Sequence, residues 1–185
     1  MTVEEIFAKI SAHMVKGLMV HENIANMYQF LALDGYKCCH DYHFLAETIS
    51  FRKLNQFYID SYNKLILDTK VDNPDVIPES WYKHTRFDID SSSKRTYIKN
   101  ILNIWHDWEA ETHKFYCEMC ENLKELKEYS AANYIKCLIR DVEDELLDIE
   151  HKQLKLISVD YSMTFIVQRQ KKLREKYSQK KKELL

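Results

Sequence analysis

Glycine and proline are scarce in this sequence, since each occurs only twice in 185 residues. A sheet protein of this length has many tight turns, and those turns rely on the unusual backbone angles of these two residues. Their scarcity therefore argues against a sheet-rich fold and favours long helices joined by few connections. We expect an all-α protein that is large enough to bury a core of its own.

We also expect neither an export signal nor a membrane span. The first ten residues carry Glu4, Glu5 and Lys9, which do not fit the apolar stretch of an export signal. No apolar run approaches the length of a membrane span. The five cysteines are odd in number and lack the spacing of a disulfide framework. We expect a cytoplasmic protein with free thiols and no membrane contact.

Four segments carry apolar residues at alternating steps of three and four, which is the spacing of a buried helix face. The first begins with a Thr2–Glu5 capping box and runs to Asp34, with Gly35 predicted as its C-cap. The second, Tyr36 to Leu67, follows so closely that the two helices must be antiparallel.

The third and fourth predicted helices run from Ser93 to Glu128 and from Ala132 to Ile157. A loop from Asp68 to Ser93 separates the second helix from the third, and it is long enough to cross the whole bundle. We therefore predict a four-helix bundle over residues 1–160, with one long crossover between helices 2 and 3. An extra basic helix or tail over residues 161–185 completes the chain.

Glu109 is the anomalous residue of the third helix, because it lies on the apolar face between Trp105 and Thr112. A buried carboxylate costs several kcal/mol to desolvate unless something pairs with it. This residue is the strongest functional clue in the sequence.

The pattern of helices resembles the ferritin-like superfamily over roughly residues 5 to 157. The stretch from Ala132 to Glu145 is similar to the fourth helix of ferritins, and Gly35 to Ser50 is similar to the family's turn and second helix. The resemblance implies a bundle whose halves supply carboxylate and histidine ligands to a shared di-iron centre.

The resemblance places three carboxylates at the family's ligand positions on helices 2, 3 and 4: Glu47, Glu109 and Glu145. Other residues occupy the remaining ligand positions: Met14, Ser50 and Val142. His21 lies about two turns after Met14 on the same face and could lean toward the carboxylates. This reduced set could hold one divalent ion, iron or manganese, but it makes full ferroxidase activity doubtful.

Alternatives to this metal site stay open. The three glutamates could reach solvent, or pair with His21, His43 or a lysine in a polar network without metal. The chain would then be a metal-free scaffold that acts as a binding or assembly module. His113, Cys117 and Cys120 could instead meet a zinc ion, although a closed zinc site needs a fourth ligand.

The sequence suggests two kinds of partner, other copies of the same chain and nucleic acid. Ferritin relatives assemble, so we expect a homo-oligomer, from a dimer upward. The C-terminal segment concentrates positive charge, which would suit a solvated helix or a contact with nucleic acid. Its basic residues are Arg169, Lys171, Lys172, Arg174, Lys176, Lys180, Lys181 and Lys182.

Overall fold

The computed structural model describes residues 1–66, 71, 72, 74 and 76–184. The helices in these ranges are α1 (Val3–Phe30), α2 (Asp34–Tyr62), α3 (Ser91–Glu125), α4 (Tyr129–Ile157) and α5 (Met163–Leu184). The long connection between α2 and α3 contains two short 3-10 helices, Glu79–Lys83 and Arg86–Asp88.

The first four helices form a bundle of two helical hairpins. α1 packs against α2, α3 packs against α4, and α1 also contacts α3. His13 contacts Thr112 while His21 approaches Glu109, so α1 and α3 run in opposite directions. α2 and α3 are consequently parallel, which requires the long crossover that joins them. The predicted all-α bundle with one crossover is confirmed.

The ends of the helices depart from the sequence prediction in several places. The Thr2–Glu5 capping box does begin α1, but α1 ends at Phe30 and Gly35 is already inside α2. Ala32, with φ of 59°, takes the left-handed conformation expected of a glycine. α2 ends at Tyr62, short of the predicted end, because Asn63 adopts a φ of 53° there; Leu67 and Asn73 lie outside the described residues.

Gly35 serves close helix packing instead of chain reversal. A methyl group at this position would lie 2.6 Å from Cα of Gln170 on α5. α5 packs along α2 and buries Ile166, Leu173 and Tyr177. The predicted extra C-terminal helix is therefore present, and it is docked on the bundle, although its charge had also suited a solvated helix.

Substituting Gly35 by alanine is expected to destabilise the protein. The added methyl group meets backbone atoms of Gln170, which cannot rotate away as a side chain could. We expect a loss of about 1–3 kcal/mol in the free energy of unfolding, as for other overpacked sites. Chemical denaturation measures it, and an unchanged denaturation midpoint would show that α5 does not pack as described.

The core of the bundle is interrupted at one level by polar side chains. One apolar cluster includes Ile24, Tyr28 and Trp105, and a second includes Phe7 and Tyr116. The buried polar residues of the described chain are His21, His40, Glu109 and Thr112. Polar groups cost free energy when buried, so their presence at mid-bundle requires compensation. None of the described helices is long and apolar enough to cross a membrane.

Candidate metal centre

His21 on α1 lies at the centre of the polar level and is fully buried. Its Nε2 atom is 3.5 Å from Oε1 of Glu47 on α2 and 3.6 Å from Oε1 of Glu109 on α3. Its Nδ1 atom is 3.2 Å from Nδ1 of His40, within hydrogen-bond distance. Three helices thus bring one imidazole and two carboxylates together inside the bundle.

Gly17 makes room for Glu47. It is one helical turn before His21 on α1, and a methyl group there would lie 3.0 Å from Oε1 and from Cδ of Glu47, and closer still to Oε2. The absence of a side chain at Gly17 therefore lets the Glu47 carboxylate extend inward to His21.

The fourth helix supplies Glu145, which is paired with His43 of α2. Oε1 of Glu145 lies 2.8 Å from Nδ1 of His43 and accepts a hydrogen bond of 3.0 Å from the indole N–H of Trp105. The His43 ring stacks on the His21 ring at a centroid distance of 5.3 Å. One potential ligand atom each from His21, His43 and Glu145 lies within 4.8 Å of the others. All four bundle helices therefore contribute to one cluster.

Several polar atoms of this cluster have no hydrogen-bond partner among the described residues although they are buried. They are His21 Nε2, His43 Nε2, Glu47 Oε2 and Glu109 Oε1. Imidazole nitrogens and carboxylate oxygens are common ligands of divalent cations. The donor set therefore fits a divalent metal, which these nitrogen and oxygen atoms could coordinate in place of the missing hydrogen bonds.

Burial raises the pKa of both inner carboxyl groups, but neighbouring charges shift the two pKa values in opposite directions. Burial raises the pKa of Glu109 well above its ordinary value, and the negative charges of Glu145 and Glu47 raise it further. Burial alone would also raise the pKa of Glu145, but the His43 cation and its hydrogen bond lower it to about 2. Without metal, Glu109 is therefore the group that takes up a proton while Glu145 stays ionised.

We expect the metal-free protein to be most stable over a limited pH range, because the pKa values of His43 and Glu145 are shifted in opposite directions. The pKa of Glu145 falls from 4.5 to about 2, so its contribution is lost as the pH drops from 4.5 toward 2. The pKa of His43 rises from 6.5 to about 10, so its contribution is lost as the pH rises through that interval. The pair should stabilise most between pH 4.5 and 6.5.

Thermal melting of chelator-treated protein across this pH range measures the effect. Glu145→Gln should flatten the profile, whereas the control Glu143→Gln, on the exposed side of α4 beside His113, should leave it unchanged. Identical profiles for the parent protein and Glu145→Gln would contradict the pairing.

A cavity of about 530 Å³ opens beside the carboxylates. Glu47, Glu109 and Glu145 all line it, and so do the three residues that occupy the other ligand positions of the resemblance: Met14, Ser50 and Val142. Lys176 and Lys180 of α5 also form part of its wall. Met14, Ser50 and Val142 thus line the same cavity as the three glutamates but offer no strong metal ligand.

Of the four residues predicted as metal ligands, Glu47 and Glu109 both approach His21, whereas Glu145 groups with His21 and His43. Their role as ligands is still a prediction. The sequence predicts His43 only as a partner of the glutamates, although its spacing of four residues from Glu47 indicates that both side chains share one helix face. Trp105 is predicted in the core, and no sequence signal marks its hydrogen bond to Glu145.

The three residues predicted as alternative zinc ligands, His113, Cys117 and Cys120, do not point to one common site. Sγ of Cys117 lies 3.9 Å from Nε2 of His113, and that nitrogen contacts the exposed Glu143. Cys120 instead faces the core, where its thiol donates to the carbonyl oxygen of Ala132. Packing in the apolar core explains this cysteine without a metal.

Several basic residues of α5 contact other residues of the protein. Arg174 pairs with Asp34 and Lys181 with Asp41, at 3.2 and 3.3 Å. Lys176 lies over the ring of Tyr177 at 5.0 Å. Lys180 is shared between the Tyr42 and Tyr177 rings. These internal contacts give no support to the predicted nucleic-acid contact.

Comparisons with known proteins agree with this architecture. No protein-family model and no curated protein matches the sequence. Among solved structures, a humanized archaeal ferritin matches with a TM-score of 0.75 and 13% identity, covering 92% of this chain and 94% of that one. A PmFTN variant soaked in iron matches with a TM-score of 0.72 and 10% identity, covering 90% and 96%. The chain therefore has a ferritin-like fold, as the resemblance implied.

Proposed function

We propose that this protein binds one divalent cation, iron or manganese, inside the bundle. The ligands would come from Glu47, Glu109, Glu145 and His21, with His43 beside them. The single observation that supports the proposal most is the set of buried, unpartnered nitrogen and oxygen atoms in this cluster. Such atoms are rare in folded proteins, and a bound ion is one of the few features that account for them.

A cation suits the charge of the cluster better than an apolar or anionic ligand. Glu47 and Glu109 both approach His21, and Glu145 adds a third carboxylate one helix away. Close carboxylates repel one another in a low-dielectric interior. A divalent ion would neutralise this repulsion, and the mixture of oxygen and imidazole donors suits iron or manganese. The iron-soaked neighbour supports iron as the first ion to test.

The bound ion would supply charge neutralisation and, for iron, redox chemistry. The residues around it favour a structural role, because Met14 and Val142 offer no strong ligand atom and Ser50 offers only a hydroxyl. Glu47, Glu109, Glu145 and His21 would hold the ion, and the indole hydrogen bond from Trp105 would orient Glu145. We therefore infer a metal-stabilised bundle and not an iron-storing ferroxidase.

Metal removal tests this proposal directly. Protein purified from cells should contain close to one equivalent of metal per chain by plasma mass spectrometry. A chelator should lower the melting temperature, and iron or manganese should restore it, because a ligand bound only by the folded state stabilises it by mass action. Full-length protein with no metal and no response to added metal would overturn the proposal.

A metal-free scaffold is the second candidate, and two observations favour it. His21 already has a hydrogen-bonding neighbour in His40, and the raised pKa of Glu109 allows a proton to neutralise that carboxyl group. In this case the melting temperature would not respond to a chelator or to added metal. The same melting experiment therefore separates the two functions.

Assembly, location and nucleic-acid contact are predictions of the sequence that need their own measurements. We expect a homo-oligomer by analytical ultracentrifugation and a cytoplasmic location by cell fractionation. A nucleic-acid contact through the basic residues of α5 would appear as a salt-sensitive gel shift. The ion pairs of Arg174 and Lys181 leave less charge for such a contact.

A further inference from the structure

Cys39 and Lys152 form a buried pair beside the metal candidates. Cys39 on α2 is 4% exposed, and Nζ of Lys152 on α4 donates a hydrogen bond to its Sγ at 3.5 Å. Thiol and amine thus face each other across the interface between two helices. Neither residue is needed to hold the proposed cation.

Lys152 is fixed in this position by other contacts. Its ammonium lies 2.6 Å from Oδ2 of Asp148 and 4.3 Å from the centre of the Trp105 ring. Its side chain is 15% exposed. A long lysine side chain normally samples many rotamers, so these contacts keep the nitrogen close to the sulfur.

A small cavity adjoins the pair. Its volume is about 20 Å³, and Cys39 and Lys152 both line it. That volume holds one water-sized molecule. Most of the remaining wall is aromatic or aliphatic, including Tyr28, Leu102 and Trp105. An apolar lining of this size suits dioxygen better than a larger or charged oxidant.

We propose that Cys39 and Lys152 become linked through one oxygen atom, in an N–O–S bridge formed with dioxygen. The thiol S–H bond and one amine N–H bond break, and S–O and N–O bonds form. The ammonium first loses one proton, which passes by way of the half-exposed Asp148 carboxylate to solvent. Sulfur and nitrogen each lose two electrons, dioxygen gains all four, and its second oxygen atom leaves as water.

An inserted oxygen atom fits the observed separation. A direct S–N bond would need a much closer approach than the 3.5 Å contact, whereas a bridging atom needs only a small movement of the lysine end. The link would join residues 113 positions apart in sequence. Cross-links that close long loops restrict the unfolded chain, so the bridged protein should be more stable.

Mass spectrometry of the full chain tests the bridge. Wild-type protein exposed to air should gain the mass of one oxygen atom minus two hydrogen atoms, whereas protein kept anaerobic should not. A proteolytic digest should contain a peptide that joins Cys39 to Lys152 and is resistant to trypsin at Lys152. A thiol reductant should separate the two peptides and lower the melting temperature to the anaerobic value.

Matched variants make the result decisive. Lys152→Met and Cys39→Ser should abolish the linked peptide, whereas Cys38→Ser, which removes the neighbouring thiol, should keep it. Absence of the peptide in air-exposed wild-type protein, or a gain of whole oxygen atoms on Cys39 alone, would overturn the proposal. The readout involves no metal, so its failure would be independent of a failure of metal binding.

Discussion

Glu109→Gln is expected to weaken metal binding by at least about 100-fold while it stabilises the metal-free protein. Even residues that only orient a metal ligand cost 10–100-fold when removed, and Glu109 is proposed as a ligand itself. Burial and the nearby glutamates raise the pKa of its carboxyl group. The buried acid therefore destabilises the metal-free fold. A neutral amide of the same shape should raise the free energy of unfolding of the metal-free protein by about 1–2 kcal/mol.

Calorimetric titration with manganese and melting with and without chelator measure both effects. Glu143→Gln is the matched control, because Glu143 is exposed on the outer side of α4, where its carboxylate pairs with the half-exposed His113. The control should keep the parent affinity and the parent chelator response. A Glu109→Gln protein that binds manganese as well as the parent would exclude Glu109 as a ligand.

Gly17→Ala is expected to weaken metal binding by about 10-fold or more, although Gly17 cannot be a ligand. The added methyl group would overlap the Glu47 carboxylate and force that side chain away from His21. Loss of the Glu47 contact removes one donor from the cluster. Alanine otherwise favours a helix over glycine by about 1 kcal/mol, so the fold itself should tolerate the change.

A double-mutant cycle with Glu47→Ala isolates this steric effect. When Glu47 is already truncated, Gly17→Ala should have no further effect on metal affinity and should raise the melting temperature. An equal loss of affinity in both backgrounds would mean that Gly17 acts by some route other than Glu47. The affinities come from the same manganese titration.

The periodic pattern was sufficient to predict the four-helix bundle and its crossover, because long amphipathic faces dominate helix packing. It was less informative at the helix ends. Gly35 carried the usual signal of a C-cap, yet Ala32 took the left-handed conformation and Gly35 packed against α5. Nothing local distinguishes a glycine needed for positive φ from one needed for a close helix contact.

Only part of the candidate site could be predicted from the sequence, because local patterns do not define how the helices are rotated against one another. Glu109 was conspicuous because a charged residue interrupted an apolar face, and the resemblance then indicated Glu47 and Glu145. His43, His40 and Trp105 lie on faces where a polar or aromatic residue is unremarkable. Their contacts with His21 and Glu145 depend on the relative rotation of α1, α2 and α3, which periodicity alone does not define.

Anomalous diffraction from crystals grown with manganese tests the central claim most directly. Data collected on both sides of the manganese absorption edge should give one strong peak per chain, in contact with His21, Glu47, Glu109 and Glu145. A crystal with manganese in solution but no peak among these side chains, or with peaks only on the outer surface, would contradict the proposed metal centre.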